Sequence, residues 1–117
     1  MKKTKMKKKV LVVDDEKDIV DILKYNLERE NEFEVLTAKD GKEAIELAEN
    51  IPDLILLDIM MPELNGFEVC KLLKKNPDTA KIPVIFLTAK ENEIDEILGL
   101  EIGADDYISK PISPRKV

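Results

Sequence analysis

The sequence predicts an α/β protein built on a doubly wound parallel sheet of five strands. Short apolar runs rich in β-branched residues recur along the chain. Val10-Leu11-Val12-Val13, Leu54-Ile55-Leu56-Leu57 and Val84-Ile85-Phe86-Leu87 carry the pattern of strands buried on both faces. Segments with helical spacing of apolar residues lie between them, and strand–helix alternation implies parallel strands joined by helical crossovers. Each run also stops at a polar residue. The first ends in Asp14-Asp15-Glu16, the second in Asp58, the third in Thr88, and a fourth, shorter run, Tyr107-Ile108-Ser109, in Lys110-Pro111. Open parallel sheets bind ligands beyond the carboxyl ends of their strands, so these residues mark the candidate site.

The elements follow in order. After the first strand, residues 16–30 place Ile19, Val20, Leu23 and Leu27 on one helical face. Glu34-Val35-Leu36-Thr37-Ala38 is the second strand. Asp40 then reads as an N-cap with Glu43 as its capping-box partner, opening a helix whose apolar positions are Ala44, Ile45, Leu47, Ala48 and Ile51 and which Pro52 closes. The third strand, 54–57, leads into the turn-rich loop Met61-Pro62-Glu63-Leu64-Asn65-Gly66 and a third helix from about Phe67 to Lys75. Cys70 sits with Phe67 and Leu73 on that helix's apolar face and reads as inert core; Tyr25 reads as a packing residue. Residues 91–102, with Ile94, Ile97 and Leu98, read as a fourth helix ended by Gly103. Right-handed crossovers restrict the winding, and five strands suit the flavodoxin-like order 2-1-3-4-5. Ser113-Pro114 is a strong helix-start signal followed by only three residues, so a fifth helix is expected to be largely missing.

At 117 residues the chain is one domain with one core. Its net charge of −6 hides an asymmetry: the first nine residues hold six lysines (Lys2, Lys3, Lys5, Lys7, Lys8 and Lys9). The remainder holds 13 basic against 25 acidic residues, a body near −12. That balance argues against a nucleic-acid surface on the body, and residues 1–9 read as a solvated N-terminal tail. No signal peptide or membrane-spanning stretch is present, and a single cysteine fits a reducing compartment, so the expected location is cytoplasmic. With no histidine, the chain can perform no histidine-based catalysis and cannot itself carry a phosphohistidine.

In the 2-1-3-4-5 order, strands 1, 3, 4 and 5 are consecutive neighbours about 5 Å apart. Asp14 and Asp15 then flank Asp58, Asp58 flanks Thr88, and Thr88 flanks Lys110. Carboxylates this close repel one another, and a hard divalent cation resolves that repulsion; Mg²⁺ suits few carboxylates, retained waters and a phosphate. A carboxylate can also serve as the nucleophile that forms an aspartyl phosphate. Asp58, central in the row, is the best nucleophile, and Asp14 and Asp15 are the best metal acids. Thr88 can hydrogen-bond a phosphoryl oxygen, and the Lys110 ammonium can neutralise its charge.

These residues resemble the receiver domain of a two-component response regulator. The likeness rests on Asp14-Asp15-Glu16, on Asp58-Ile59-Met60-Met61-Pro62 with Gly66, on Thr88-Ala89 and on Lys110-Pro111, in order and on matching elements. It covers the chain from the end of the lysine tail through Pro111, and it implies a CheY-like fold over residues 10–117. The resemblance implies that Asp58 accepts a phosphoryl group from a histidine kinase and that Asp14, Asp15, Asp58 and the Met60 carbonyl bind Mg²⁺, for which Mn²⁺ substitutes. It further implies Thr88 and Tyr107 as a coupled switch, Lys110 as a partner of the acidic site, and a cis bond before Pro111. Such a domain is no enzyme in the usual sense; it performs only its own phosphorylation and dephosphorylation. The segments 99–107 and 110–115 most resemble OmpR/PhoB-type transcription factors, which dimerise through the face of helix 4, strand 5 and helix 5 and act through a DNA-binding domain that is expected to be missing from this chain. The incomplete fifth helix predicts impaired normal dimerisation and favours domain swapping. Asn65 stands where the family usually has aspartate, and still suits a cap.

Two rival readings are weaker. A degenerate receiver serving only as a binding module would not need the full set of Asp14, Asp15, Asp58, Thr88 and Lys110. An aspartyl-phosphate hydrolase of the haloacid dehalogenase type wants a second aspartate two residues after the nucleophile, where this chain has Met60.

Overall fold

Val10 to Val13 are all buried, as are Ile55 to Leu57, because β1 (Lys8–Val13) and β3 (Leu54–Asp58) occupy the middle of one sheet and are covered on both sides. The computed structural model describes residues 7–88 and 103–109. Within them the elements run β1, α1 (Lys17–Arg29), β2 (Phe33–Ala38), α2 (Gly41–Leu47), a 3₁₀ turn (Ala48–Asn50), β3, α3 (Gly66–Lys75), β4 (Val84–Thr88) and β5 (Asp106–Ser109). The five strands are parallel in the order β2-β1-β3-β4-β5, the winding that the sequence predicts.

Strand alternation divides the core into two layers. Leu11, Val13, Ile55, Leu57, Val84 and Phe86 face α2 and α3, whose Ala44, Val69, Cys70 and Leu73 close that side. Val10, Val12, Leu56 and Leu87 face the opposite way, where Val20, Leu23 and Leu27 of α1 pack against them. Phe86 stacks edge-on against Phe67, ring centroids 5.3 Å apart, which ties β4 to the first turn of α3. Asn65 caps α3 with a complete capping box: its side chain accepts the Glu68 N–H, and the Glu68 carboxylate accepts the Asn65 N–H.

Several local expectations need correction. β1 begins at Lys8, so the lysine-rich tail does not extend to residue 9. Lys8 and Lys9 pair with Phe33 and Glu34, and the Lys9 N–H donates to the Asp53 carboxylate at 2.8 Å. The box at α2 is shifted by one residue: Asp40 accepts the Glu43 N–H, but Glu43 takes its hydrogen bond from the Lys39 N–H. Tyr25 is outside the core, 67% exposed, with the Arg29 guanidinium 5.7 Å from its ring centre. The expected fourth helix (91–102), Lys110, Pro111 and the helix-start signal at Ser113-Pro114 lie outside the described residues. Among the described residues no helix is long and apolar enough to cross a membrane.

Ile51 is not on the core face of a helix. The α-helix ends at Leu47, and Ile51 adopts a left-handed backbone (φ 51°) with half its surface exposed. That conformation costs a β-branched residue about 1–3 kcal/mol. Its half-buried side chain returns about 1 kcal/mol. Ile51→Asn, which tolerates the left-handed region, should therefore leave stability within about 1 kcal/mol of the parent, against the roughly 2–5 kcal/mol lost when a buried Ile is truncated. Urea unfolding curves decide between the two.

Cys70 is fully buried, and burial pushes its thiol pKa up. Because the thiolate is the reactive form, alkylation by iodoacetamide should be slow in the native protein and fast in urea. Rapid labelling without denaturant would contradict the packing described for α3.

Candidate functional site

Sheet register carries the first acidic pair together. β1 and β3 pair Val13 with Leu57, so the next residue on each strand, Asp14 and Asp58, lie side by side at the carboxyl edge. Both are buried, whereas Asp15 is exposed at the rim. The Asp14 carboxylate accepts the Glu16 N–H at 2.9 Å, a local turn that fixes its orientation as the chain swings into α1. One carboxylate oxygen from each of Asp14, Asp15 and Asp58 falls within 4.8 Å of the others.

Three carboxylates at that separation form a hard, all-oxygen donor set. It fits Mg²⁺ or Mn²⁺ and offers nothing to metals that prefer sulfur or imidazole. Met60 follows Asp58 by two residues in the loop that leads to α3, and its side chain is exposed. That loop is closed at its base: the Gly66 N–H donates to the Ile59 carbonyl at 2.9 Å, and a side chain at Gly66 would collide with the Asp58 backbone carbonyl. Glu63, within the loop, has a left-handed backbone (φ 66°).

Thr88 ends β4 one step beyond the Asp58–Leu87 pair and is buried. Its hydroxyl leans toward the Ile108 carbonyl of β5 at 3.5 Å, a long contact. β4 and β5 pair Phe86 with Tyr107 and Thr88 with Ser109, which puts Tyr107 diagonally next to Thr88 on the same sheet face. Tyr107 is at the boundary with solvent, 36% exposed. The structure thus brings together Asp14, Asp15, Asp58, Thr88 and Tyr107. Lys110 and the Lys110–Pro111 bond are outside the described residues.

A groove of about 450 Å³ opens beside Asp14 and Asp15, with Lys17, Thr37, Lys39 and Glu43 on its walls. Its rim charges are paired: Lys17 with Asp21 at 2.9 Å and Lys39 with Glu43 at 3.2 Å. The hydrogen bond that the Lys17 ammonium donates to the Asp21 carboxylate holds Lys17 above its ordinary pKa, and the Lys39 backbone N–H holds Glu43 below its own. The sequence reading missed these rim residues, because Lys39 and Glu43 reach the carboxyl edge only through the folded β2–α2 connection and Lys17 only through the start of α1.

Residues 10–117 match the response regulator receiver domain family over nearly the whole chain. The chain belongs to that family. As a receiver domain it is 56% identical, over 113 residues, to the alkaline phosphatase synthesis transcriptional regulatory protein PhoP of Bacillus subtilis (strain 168). That match covers 96% of this chain and 46% of the relative, so the receiver domain spans about half the length of that curated protein. Its fold matches the chemotaxis protein CheY4 of Vibrio cholerae with a TM-score of 0.82 at 32% identity, covering 93% of this chain and 91% of that one. The N-terminal domain of a response regulator receiver protein from Methanoculleus marisnigri JR1 matches with a TM-score of 0.80 at 41% identity, covering 92% and 88%.

Proposed function

We propose that this receiver domain is a phosphorylation-dependent switch, with Asp58 taking a phosphoryl group from the phosphohistidine of a sensor histidine kinase. The observation that supports this most is the convergence of Asp14, Asp15 and Asp58 within 4.8 Å at the sheet's carboxyl edge, with Asp58 buried between β1 and β4. Asp14, Asp15, Asp58 and the Met60 carbonyl are the proposed ligands of Mg²⁺ or Mn²⁺. When bound, the ion supplies positive charge to the oxygens of the transferring phosphoryl group.

An Asp58 carboxylate oxygen attacks phosphorus in line, the P–N bond to the kinase imidazole breaks, and the imidazole leaves with the electron pair. The product is an aspartyl phosphate, whose later hydrolysis releases inorganic phosphate and resets the carboxylate. Lys110 offsets the charge on the phosphoryl oxygens. The Thr88 hydroxyl turns toward one of them, leaving the Ile108 carbonyl, and Tyr107 follows into the space vacated beside it.

The new group brings about −1.5 to −2 charges to the site, and it shifts the population only because it binds the two conformations unequally. The proposed output is self-association through the face of helix 4, strand 5 and helix 5. The likeness to PhoP favours a DNA-binding segment as the effector and transcription in the cytoplasm as the setting. Acetyl phosphate with Mg²⁺ should add one phosphoryl group by intact mass, and EDTA should prevent it. Persistent modification in EDTA would contradict the metal assignment.

A further inference from the structure

The two halves of the acidic site are carried by different segments. Asp14 and Asp15 follow β1; Asp58 and Met60 belong to β3 and the loop after it. The β2–α2 connection touches both. At one end the Ala38 carbonyl accepts the Asp14 N–H at 3.1 Å. Three residues later, Gly41 is buried at the start of α2, against the loop and α3. A Cβ built on Gly41 would come within 2.9 Å of the Leu64 backbone carbonyl, 2.9 Å of Leu64 Cδ2 and 2.8 Å of Val69 Cγ2. The Leu64 side chain can rotate aside. Its carbonyl cannot, and Val69 is fully buried.

We infer that Gly41 is a positioning residue: the absent side chain lets the β2–α2 connection act as a bracket that sets the distance between the Asp14–Asp15 pair and the loop bearing Met60. The inference rests on the metal reading proposed above. Gly41 touches no ligand; it acts through Leu64 and the loop backbone. The base of the loop is already fixed by the Gly66–Ile59 hydrogen bond and by the tight approach of Gly66 to Asp58. A push at Leu64 therefore moves the residues enclosed between Ile59 and Gly66, Met60 among them, more than it moves Asp58.

The test measures Mg²⁺ affinity directly, with no phosphodonor, by calorimetric titration of the full chain, alongside urea unfolding in EDTA. Gly41→Ala should weaken Mg²⁺ binding about tenfold, the scale seen when a residue supporting metal ligands is altered. In Gly41→Ala/Val69→Ala the space of Val69 Cγ2 lets the start of α2 shift toward α3, which carries the new methyl away from the Leu64 carbonyl and should recover affinity to within about threefold of wild type, although its core is weaker than that of the single variant. Recovery of binding against a further loss of stability is an outcome that a merely structural role for Gly41 would not give. Both variants are measured in sucrose, which favours the compact state, so that reduced stability does not mask binding.

Unchanged Mg²⁺ affinity in Gly41→Ala would overturn the inference, as would a double variant that binds no better than the single one. A wild-type chain that binds no Mg²⁺ would instead sink the metal reading, and the inference with it.

Discussion

Asp58→Asn should leave the chain folded and unable to take a phosphoryl group. With acetyl phosphate and Mg²⁺ the wild type gains one phosphoryl mass; the variant gains none. The amide is nearly isosteric with the carboxylate, so packing at the end of β3 is kept. Its nitrogen and neutral oxygen are poor nucleophiles, and no aspartyl phosphate can form. The substitution also removes one of three carboxylates within 4.8 Å of one another. Fewer like charges means less repulsion in the absence of metal and a weaker site in its presence. A ligand that binds only the native state stabilises it by RT ln(1 + [L]/Kd). Mg²⁺ should therefore raise the melting temperature of the wild type measurably and that of Asp58→Asn much less. Equal phosphorylation of the two proteins would remove Asp58 from its assigned role. Asp58 is buried and central, with β1 on one side and β4 on the other, and substituting Asp15 at the exposed rim should weaken metal binding without removing the acceptor.

The strand ends were legible in the sequence because two local signals coincide there. A run of β-branched residues defines a central parallel strand, and the polar residue that stops it must lie at the carboxyl edge. Asp14, Asp58 and Thr88 needed only the strand order to become neighbours. What stayed hidden was set by distant partners. Lys8 and Lys9 have no strong preference for a strand; they enter β1 because the Glu32 carbonyl accepts the Lys8 N–H and the Asp53 carboxylate accepts the Lys9 N–H. Gly41 reads as an ordinary first helical residue after the Asp40 cap, and nothing local announces that Leu64 and Val69 press against it. Ile51 is decided by its neighbour. Its spacing from Ala44 and Ala48 suits a helix, but Pro52 disfavours a helical backbone at the preceding residue, and the helix had already tightened into a 3₁₀ turn. Tyr25 lies two residues from both Leu23 and Leu27, about 160° round the helix from each at 3.6 residues per turn, so it is on the face of α1 turned away from the sheet and its helical spacing already places it in solvent.

Phe86→Ala should cost about 3–5 kcal/mol, a large part of the roughly 5–15 kcal/mol that holds a domain of this kind together. Phe86 has no exposed surface, and its ring meets Phe67 edge-on, a geometry worth about 0.5–1.5 kcal/mol beyond area burial. Val84, Ile55, Leu57 and Cys70 belong to the same buried layer and are held by strands and helix, so the cavity left behind cannot collapse fully. Urea unfolding should show a much lower midpoint with an unchanged m-value; Phe86→Leu, which keeps most of the volume, should lose far less. A small loss in the alanine variant would mean that the layer between β4 and α3 is looser than the structure describes. The same variant separates stability from chemistry. Phe67 lies one residue past Gly66, where the Met60 loop ends, so Phe86 supports the acidic site through α3 and contributes no ligand or reacting group to it. Phe86→Ala should lower the folded fraction while the molecules that remain folded still take a phosphoryl group at high Mg²⁺. Asp58→Asn does the reverse, keeping the fold and losing the reaction. Opposite outcomes in the two proteins would place the chemistry at the carboxyl edge of the sheet and the support for it in the layer beneath.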